Sequence, residues 1–277
     1  MINMSSHTSV FATQDSGVPL DARDFSVKDR VVIITGAAQG IGREFARQFA
    51  AAGAISIIAD QNFANAQKVQ AEIERSGGQG VAIEVDIGNR ALLDAMVANV
   101  VSRFGRIDVL INNAAIFASL QKRPFDEIPL DEWNKVLHVN ITGTFLSICA
   151  VLPTMKQAKW GRIVTISSNS VRKGVMNYLH YVTSKSAIIG MTNAMARELG
   201  PHGITVNCIR PGAVATEVER AVNTTTERRI AQMKEQCIPR GMVPSDLVGL
   251  AMFLSTPASG FITGQTIACD GGMTHSF

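Results

Sequence analysis

The chain has 277 residues, 46% hydrophobic and 18% charged, with a formal net charge of +3. That apolar fraction is enough for a sizeable core and excludes disorder over the whole chain. No basic stripe is present to hold nucleic acid or an anionic membrane, so neither is expected as a partner.

Residues 1–25 are rich in Ser and Thr and lack a basic start followed by an apolar core. They read as a flexible leader and not as a signal peptide. Short β-branched runs follow at 31–35, 55–59, 81–85, 109–111, 163–166, 204–209 and 266–269. Between them lie longer stretches with helical spacing, the first carrying Ile41, Phe45 and Phe49 on one face. Strands alternating with helices predict a doubly wound parallel α/β sheet of seven strands with helices on both faces. Aromatic residues make up only 6%, so the core is aliphatic, as a buried parallel sheet requires. No charged or proline-rich linker divides the chain, and 26–277 is expected to form a single domain.

Two helical stretches, 130–156 and 181–199, are unusually apolar. Each is read either as core packing or as an interface in a homo-oligomer. The segment 216–241 is polar, with Thr224, Thr225 and Thr226 at its centre. It is read as a lid over a ligand or as a loop. Cys149, Cys208, Cys237 and Cys269 include no C-x-x-C pair. No metal site is expected, and a reduced, cytoplasmic compartment is the simplest reading. Continuous apolar stretches fall well short of ~18 residues, so no membrane-spanning helix is expected.

After the first strand comes T-G-A-A-Q-G-I-G, Thr35 to Gly42. Gly36 allows a tight turn, Gly40 lets backbone N–H groups approach a pyrophosphate, and Gly42 lets the helix pack on the strand. The strand before and the amphipathic helix after favour a dinucleotide-binding turn of the Rossmann type, the alternative being an ordinary glycine turn. Asp60 ends the second strand, where a carboxylate can bind the adenosine ribose hydroxyls. A 2′-phosphate there would meet that charge with up to ~4 kcal/mol of repulsion at ~4 Å. Gln39, Gln61 and Asn62 supply no compensating cation, so NAD is expected over NADP. Asp86, followed by Ile87, ends the third strand and is placed to accept from the adenine amino group. For both Asp60 and Asp86 the alternative is a cap for the next helix.

The chain has only two tyrosines, Tyr178 and Tyr181. Tyr181 and Lys185 stand at i and i+4, on one helix face. A nearby ammonium lowers a phenol from its usual ~10 toward a general acid/base role near neutrality, the alternative for such a pair on its own being surface decoration. Tyr178 has Val182 at that offset and gains no such partner.

With these motifs in order, the chain resembles the short-chain dehydrogenase/reductase family over about residues 25–275. Thr35 to Gly42 resembles its T-G-x-x-x-G-x-G, and Asn112-Asn113-Ala114-Ala115 its N-N-A-G. Tyr181 to Lys185 matches Y-x-x-x-K, and Pro211-Gly212 with Thr216 resembles P-G-x-x-x-T. The resemblance implies a catalytic set of Asn140, Ser168, Tyr181 and Lys185. Tyr181 would exchange the proton with the substrate oxygen, and Ser168 would hydrogen-bond that oxygen. Lys185 would hold the nicotinamide ribose, and Asn140 a water linking Lys185 to solvent. It further implies cofactor contacts at Gly36, Gln39, Gly40, Ile41 and Gly42, at Asn113, Ala114 and Ala115, and at Pro211, Gly212, Val214 and Thr216. Ala115 replaces the family's usual Gly, which is tolerable where φ stays negative. The resemblance also implies a tetramer.

His180-Tyr181, Ile238-Pro239-Arg240 and the segment after Phe261 are similar to the branch of bacterial NAD-dependent secondary alcohol dehydrogenases that includes the 1-phenylethanol dehydrogenases. That similarity covers the cofactor and carboxyl-terminal regions and not the lid, so it does not carry the substrate; a secondary alcohol or its ketone is expected from the apolar surroundings of Phe117, Val175 and Met176. His180 and Asn177 are candidate polar contacts, the alternative for His180 being a solvent-facing ring. Arg172 and Lys173 either attract an acidic substrate or belong to a solvated face. The rival readings are a sugar or polyol dehydrogenase, a 3-oxoacyl-thioester reductase, and a dinucleotide-binding regulator without turnover.

Overall fold

The structure, a computed structural model, describes residues 21–219, 221 and 225–275. Of the expected leader, residues 1–20 lie outside the described residues, and Ala22–Phe25 form one 3-10 turn capped by Asp21.

Seven strands form one sheet: β1 (Val31–Thr35), β2 (Ile55–Asp60), β3 (Gln79–Glu84), β4 (Val109–Asn112), β5 (Gly161–Ile166), β6 (Ile204–Pro211) and β7 (Thr266–Cys269). Their order is β3-β2-β1-β4-β5-β6-β7, and every pair is parallel. β3 and β5 each begin two residues before their β-branched runs, because pairing with neighbours extends the ladder through residues of low strand propensity. β1, β4, β5 and β6 are buried along their whole length, so they read as apolar runs and not as alternation.

The helices sort onto the two faces. Phe45 and Phe49 of α1 (Gly40–Ala51) and Val69 and Ile73 of α2 (Phe63–Arg75) pack against Ile34, Ile58 and Val164. Leu93 and Met96 of α3 (Arg90–Phe104) pack on the other face against Ile33, Leu110 and Val206. The expected helix 130–156 is three pieces: α4 (Leu130–Leu137), a π-helical turn (His138–Gly143) and α5 (Thr144–Ala158). This run, Leu130–Ala158, is long and apolar enough to cross a membrane by length and composition alone. Packing accounts for much of that apolar content, since Ile148, Val151 and Met155 are buried in the second core with Ala196 and Leu199. The latter two belong to α7 (Leu179–Leu199), which follows the short α6 (Ser170–Lys173). α8 (Thr226–Lys234) lies within the expected lid, and α9 (Val248–Leu254) returns to the first face.

Winding proceeds outward from β1 to β3 on one side and from β4 to β7 on the other. The reversal between β1 and β4 opens a crevice at the carboxyl ends of the strands, where such sheets bind ligands.

Candidate active site

That crevice is a cleft of about 880 Å³. Gly36, Gln39, Gly40, Ile41, Asp60, Asp86, Ile87, Asn113, Ala114 and Ala115 line one part of it. Ser168, Tyr181, Lys185, Pro211, Gly212, Val214 and Thr216 line the rest of the expected set. Two expected residues stand behind it. Gly42 packs α1 on the turn, since a Cβ there would lie 2.2 Å from the Gly36 carbonyl oxygen. Asn140 is buried in the π-helical turn.

The turn after β1 is built by local bonds. Gly36 takes a φ of +65°, and its N–H donates to the Ala59 carbonyl. The Thr35 hydroxyl accepts from the N–H groups of Asn113 and Ala114, both at 3.1 Å. The Asn113 amide donates back to the carbonyls of Thr35 and Gly36, both at 3.0 Å. This stitching joins β1 to β4 across the reversal. Ala115 is not among the residues with positive φ, so its methyl group is accommodated.

α1 starts at Gly40 with no side-chain cap from Gln39. Its first N–H groups and the positive end of its dipole therefore face the cleft for an anion. One of them is taken by a carboxylate from the expected lid: Gly40 N–H donates to Glu217 Oε1 at 3.0 Å. The Glu217 oxygen stands where an anionic oxygen of a ligand would sit. A glycine cradle and an acid already seated at the helix end fit the pyrophosphate of a dinucleotide.

Both cap alternatives for the strand-end acids fall away. Asn62 caps α2 by accepting from Asn65 N–H, and Asn89 caps α3 by accepting from Ala91 and Leu92. Asp60 accepts from the N–H groups of Ala38 and Asn62 at 3.0 and 2.9 Å, which orients its carboxylate at the cleft wall. Asp86 accepts from Gly88 N–H at 2.8 Å. Arg43, in the first turn of α1, is held in a two-pronged pair by Glu72, both bonds at 3.0 Å.

On α7, Lys185 is buried and donates from Nζ to the Ile166 carbonyl at 2.8 Å. Its ammonium lies 5.9 Å from the centre of the Tyr181 ring. Burial lowers its pKa from 10.5 to about 8. The Ser167 hydroxyl donates to the Lys185 carbonyl at 2.7 Å, tying β5 to α7 beside Ser168. The Asn140 side chain accepts from Ile116 N–H at 2.7 Å and donates to Ser184 Oγ at 3.0 Å. The π-helical turn, a feature common at functional sites, thus bridges the loop after β4 to α7.

Some expectations need correction. His180 is fully buried and does not line the cleft; its ring meets Glu132 instead of solvent or substrate. Asn177 does not line the cleft either, and its carbonyl accepts from Arg123 N–H at 3.1 Å. Met176 is 82% exposed and outside the cleft. Lys173 lines the cleft but is paired with Glu235. Tyr178, set aside for want of a partner on its own helix, also lines the cleft, with Lys122 Nζ 5.8 Å from its ring centre. Local spacing misses this because Lys122 comes from the loop after β4. Leu120, Val136 and Met273 line the cleft without any motif to mark them.

A doubly wound sheet with a dinucleotide turn at its reversal and a Tyr/Lys pair in the same cleft defines a Rossmann-type, dinucleotide-dependent oxidoreductase. A family model described as enoyl-(acyl carrier protein) reductase matches residues 36–274. The chain is 36% identical over 251 residues to the (2S)-[(R)-hydroxy(phenyl)methyl]succinyl-CoA dehydrogenase subunit BbsD of Thauera aromatica, covering 89% of this chain and 97% of that one. It is 38% identical over 256 residues to galactitol 2-dehydrogenase of Agrobacterium fabrum, covering 89% and 98%. Among solved structures, one described as an NAD(P)-dependent gluconate 5-dehydrogenase from Beutenbergia cavernae, with NADP at low occupancy, superposes with a TM-score of 0.83. It is 32% identical and covers 90% of this chain and 98% of that one. The chain belongs to the short-chain dehydrogenase/reductase family.

Proposed function

We propose that the protein catalyses reversible hydride transfer between a secondary alcohol, or its ketone, and NAD. The observation that carries this is Tyr181 beside a buried Lys185 in the cleft that also holds the dinucleotide turn. When bound, the nicotinamide supplies the carbon that takes or returns the hydride. The chain's own residues position and move the proton. Tyr181 Oη takes the hydroxyl proton during oxidation, and Lys185 favours the phenolate by its charge and would hold the ribose of a bound nicotinamide. The Ser168 hydroxyl hydrogen-bonds the substrate oxygen. The Asn140 carbonyl accepts from Thr144 Oγ1 at 2.9 Å, and Asn140 would hold the water that links Lys185 to solvent.

Preference for NAD is supported by Asp60 at the cleft wall and by Arg43 being committed to Glu72. Phe117, Leu120, Val136 and Val175 support an alcohol with an apolar substituent. A sugar or polyol is the second reading, favoured by Asp131 and Glu132 in the lining. The reading includes a homo-oligomer, a tetramer by family resemblance, supported by the exposed rings of Phe145 and Phe261. Size-exclusion chromatography with light scattering tests that part.

The activity is tested by absorbance of reduced nicotinamide with a panel of secondary alcohols, polyols and sugars. Turnover that Tyr181→Phe abolishes, with cofactor binding nearly intact, is the expected result. Tight cofactor binding without turnover of any substrate would overturn it.

A further inference from the structure

The turn of α7 that carries Tyr181 has little local support. Its N-cap residue, Tyr178, makes no side-chain cap bond. Tertiary contacts hold this turn instead. His180, one residue before Tyr181, is fully buried, with Nε2 3.2 Å from Glu132 Oε1 on α4. A carboxylate only accepts, so Nε2 carries the proton in that bond. The same Glu132 oxygen lies 3.7 Å from Arg123 Nε, and the Arg123 N–H donates to the Asn177 carbonyl. Arg123, Glu132 and His180 therefore tie the loop after β4, α4 and the start of α7 into one ring of contacts. The cluster of Leu120, Val136, Tyr178 and Tyr181 packs beside that ring, with Phe117 4.5 Å from Tyr181 between ring centres.

Packing alone does not account for a histidine here. Its Nδ1 is buried with no hydrogen-bond partner, a cost that a leucine of similar bulk would avoid. Lys185 is anchored one turn further on by its own bond to Ile166. Fraying of the first turn would therefore change the Tyr181–Lys185 geometry and not carry both groups along.

We propose that His180 is a positioning residue for Tyr181: gripped by Glu132, it sets the first turn of α7 and so the placement of the phenol relative to Lys185. The proposal rests on the reading of Tyr181 as the proton-exchanging group. The charged groups that share the cleft with that phenol are Lys185 of α7, Lys122 of the loop after β4, Asp131, Glu132 and Lys135 of α4, and Lys173 of α6. From the strand ends come Asp60 and Asp86.

The two tyrosines allow a test without any substrate. In a Tyr178→Phe background, tyrosinate absorbance against pH reports Tyr181 alone. His180→Leu is expected to raise the midpoint by about half a pH unit or more toward the free phenol's ~10, while His180→Gln, whose amide N–H replaces Nε2–H, stays within ~0.2. An unmoved midpoint in the leucine variant overturns the proposal, even if its melting temperature falls. Should the leucine variant not fold, His180→Phe is read in the same way. A midpoint of ~10 with His180 intact would instead overturn the acid/base reading of Tyr181 itself.

Discussion

Glu217 places a carboxylate oxygen 3.0 Å from the backbone nitrogen of Gly40, at the amino end of α1. The same oxygen lies 3.6 Å from Arg43, so the acid is held by the helix end and by a guanidinium together. Just beyond, Ala221 N–H donates to the Ala118 carbonyl at 2.7 Å, fastening this part of the lid across the cleft. A dinucleotide pyrophosphate bound at this helix end would meet the Glu217 carboxylate.

Glu217→Gln removes the competing charge. Only the fraction of molecules with that place open binds the cofactor, so opening it raises apparent affinity. Half-exposed pairs contribute about 1 kcal/mol, which sets the gain at about fivefold. Calorimetry with NAD on wild type and variant checks this, and equal dissociation constants contradict it.

Lys185 carries a stability signature in its burial. Its folded pKa of about 8 lies below the ordinary 10.5. Between those values the unfolded chain binds more protons than the folded one, so wild-type stability rises with pH through that window. Below it the cost is fully present. Lys185→Met has no such group, and wild type should gain about 2 kcal/mol on the variant between pH 7 and 9.5. Urea unfolding at several pH values measures the difference. The variant should also lose turnover.

Asp60→Asn tests cofactor choice. It removes the charge that faces a 2′-phosphate while keeping an oxygen for one of the two N–H donors. The unscreened repulsion of up to ~4 kcal/mol is cut by solvent and salt, leaving about tenfold in the ratio of kcat/KM for NADP over NAD. Steady-state kinetics with both cofactors decides, and a wild type that prefers NADP refutes the premise.

Gly42→Ala puts a methyl group 2.2 Å from the Gly36 oxygen and 2.6 Å from the Asn113 amide nitrogen. α1 must move away from the turn, at about 1–3 kcal/mol of stability. Cofactor affinity should fall as well, because the helix end shifts from the anion it faces. Thermal unfolding and NAD titration read the two effects separately.

Strands and the dinucleotide turn are legible in the bare chain for a local reason. Strands covered on both faces must be apolar without interruption, as in Val31 to Ile34, and a turn beneath a phosphate needs glycine where φ is positive or space is absent, as at Gly36 and Gly42. The Tyr181–Lys185 pair is legible because both members share one helix face. The acids at 60 and 86 are half legible: their places at strand ends are clear, but only the caps made by Asn62 and Asn89 free them from that duty.

Contacts between elements distant in the chain leave no such mark. His180 looks polar and solvent-facing in isolation, yet folding α7 against α4 buries it on Glu132. Lys122 reaches Tyr178, and Glu217 reaches Gly40, across loops whose paths no periodicity records. The π-helical turn that sets Asn140 between Ile116 and Ser184 interrupts what spacing predicts as one regular helix. Sequence order and local chemistry therefore dictate the sheet, the turn and the Tyr/Lys pair. Packing of α4, α7 and the lid decides how that pair is held and what stands in the cofactor's place, because those energies arise only when separate elements meet.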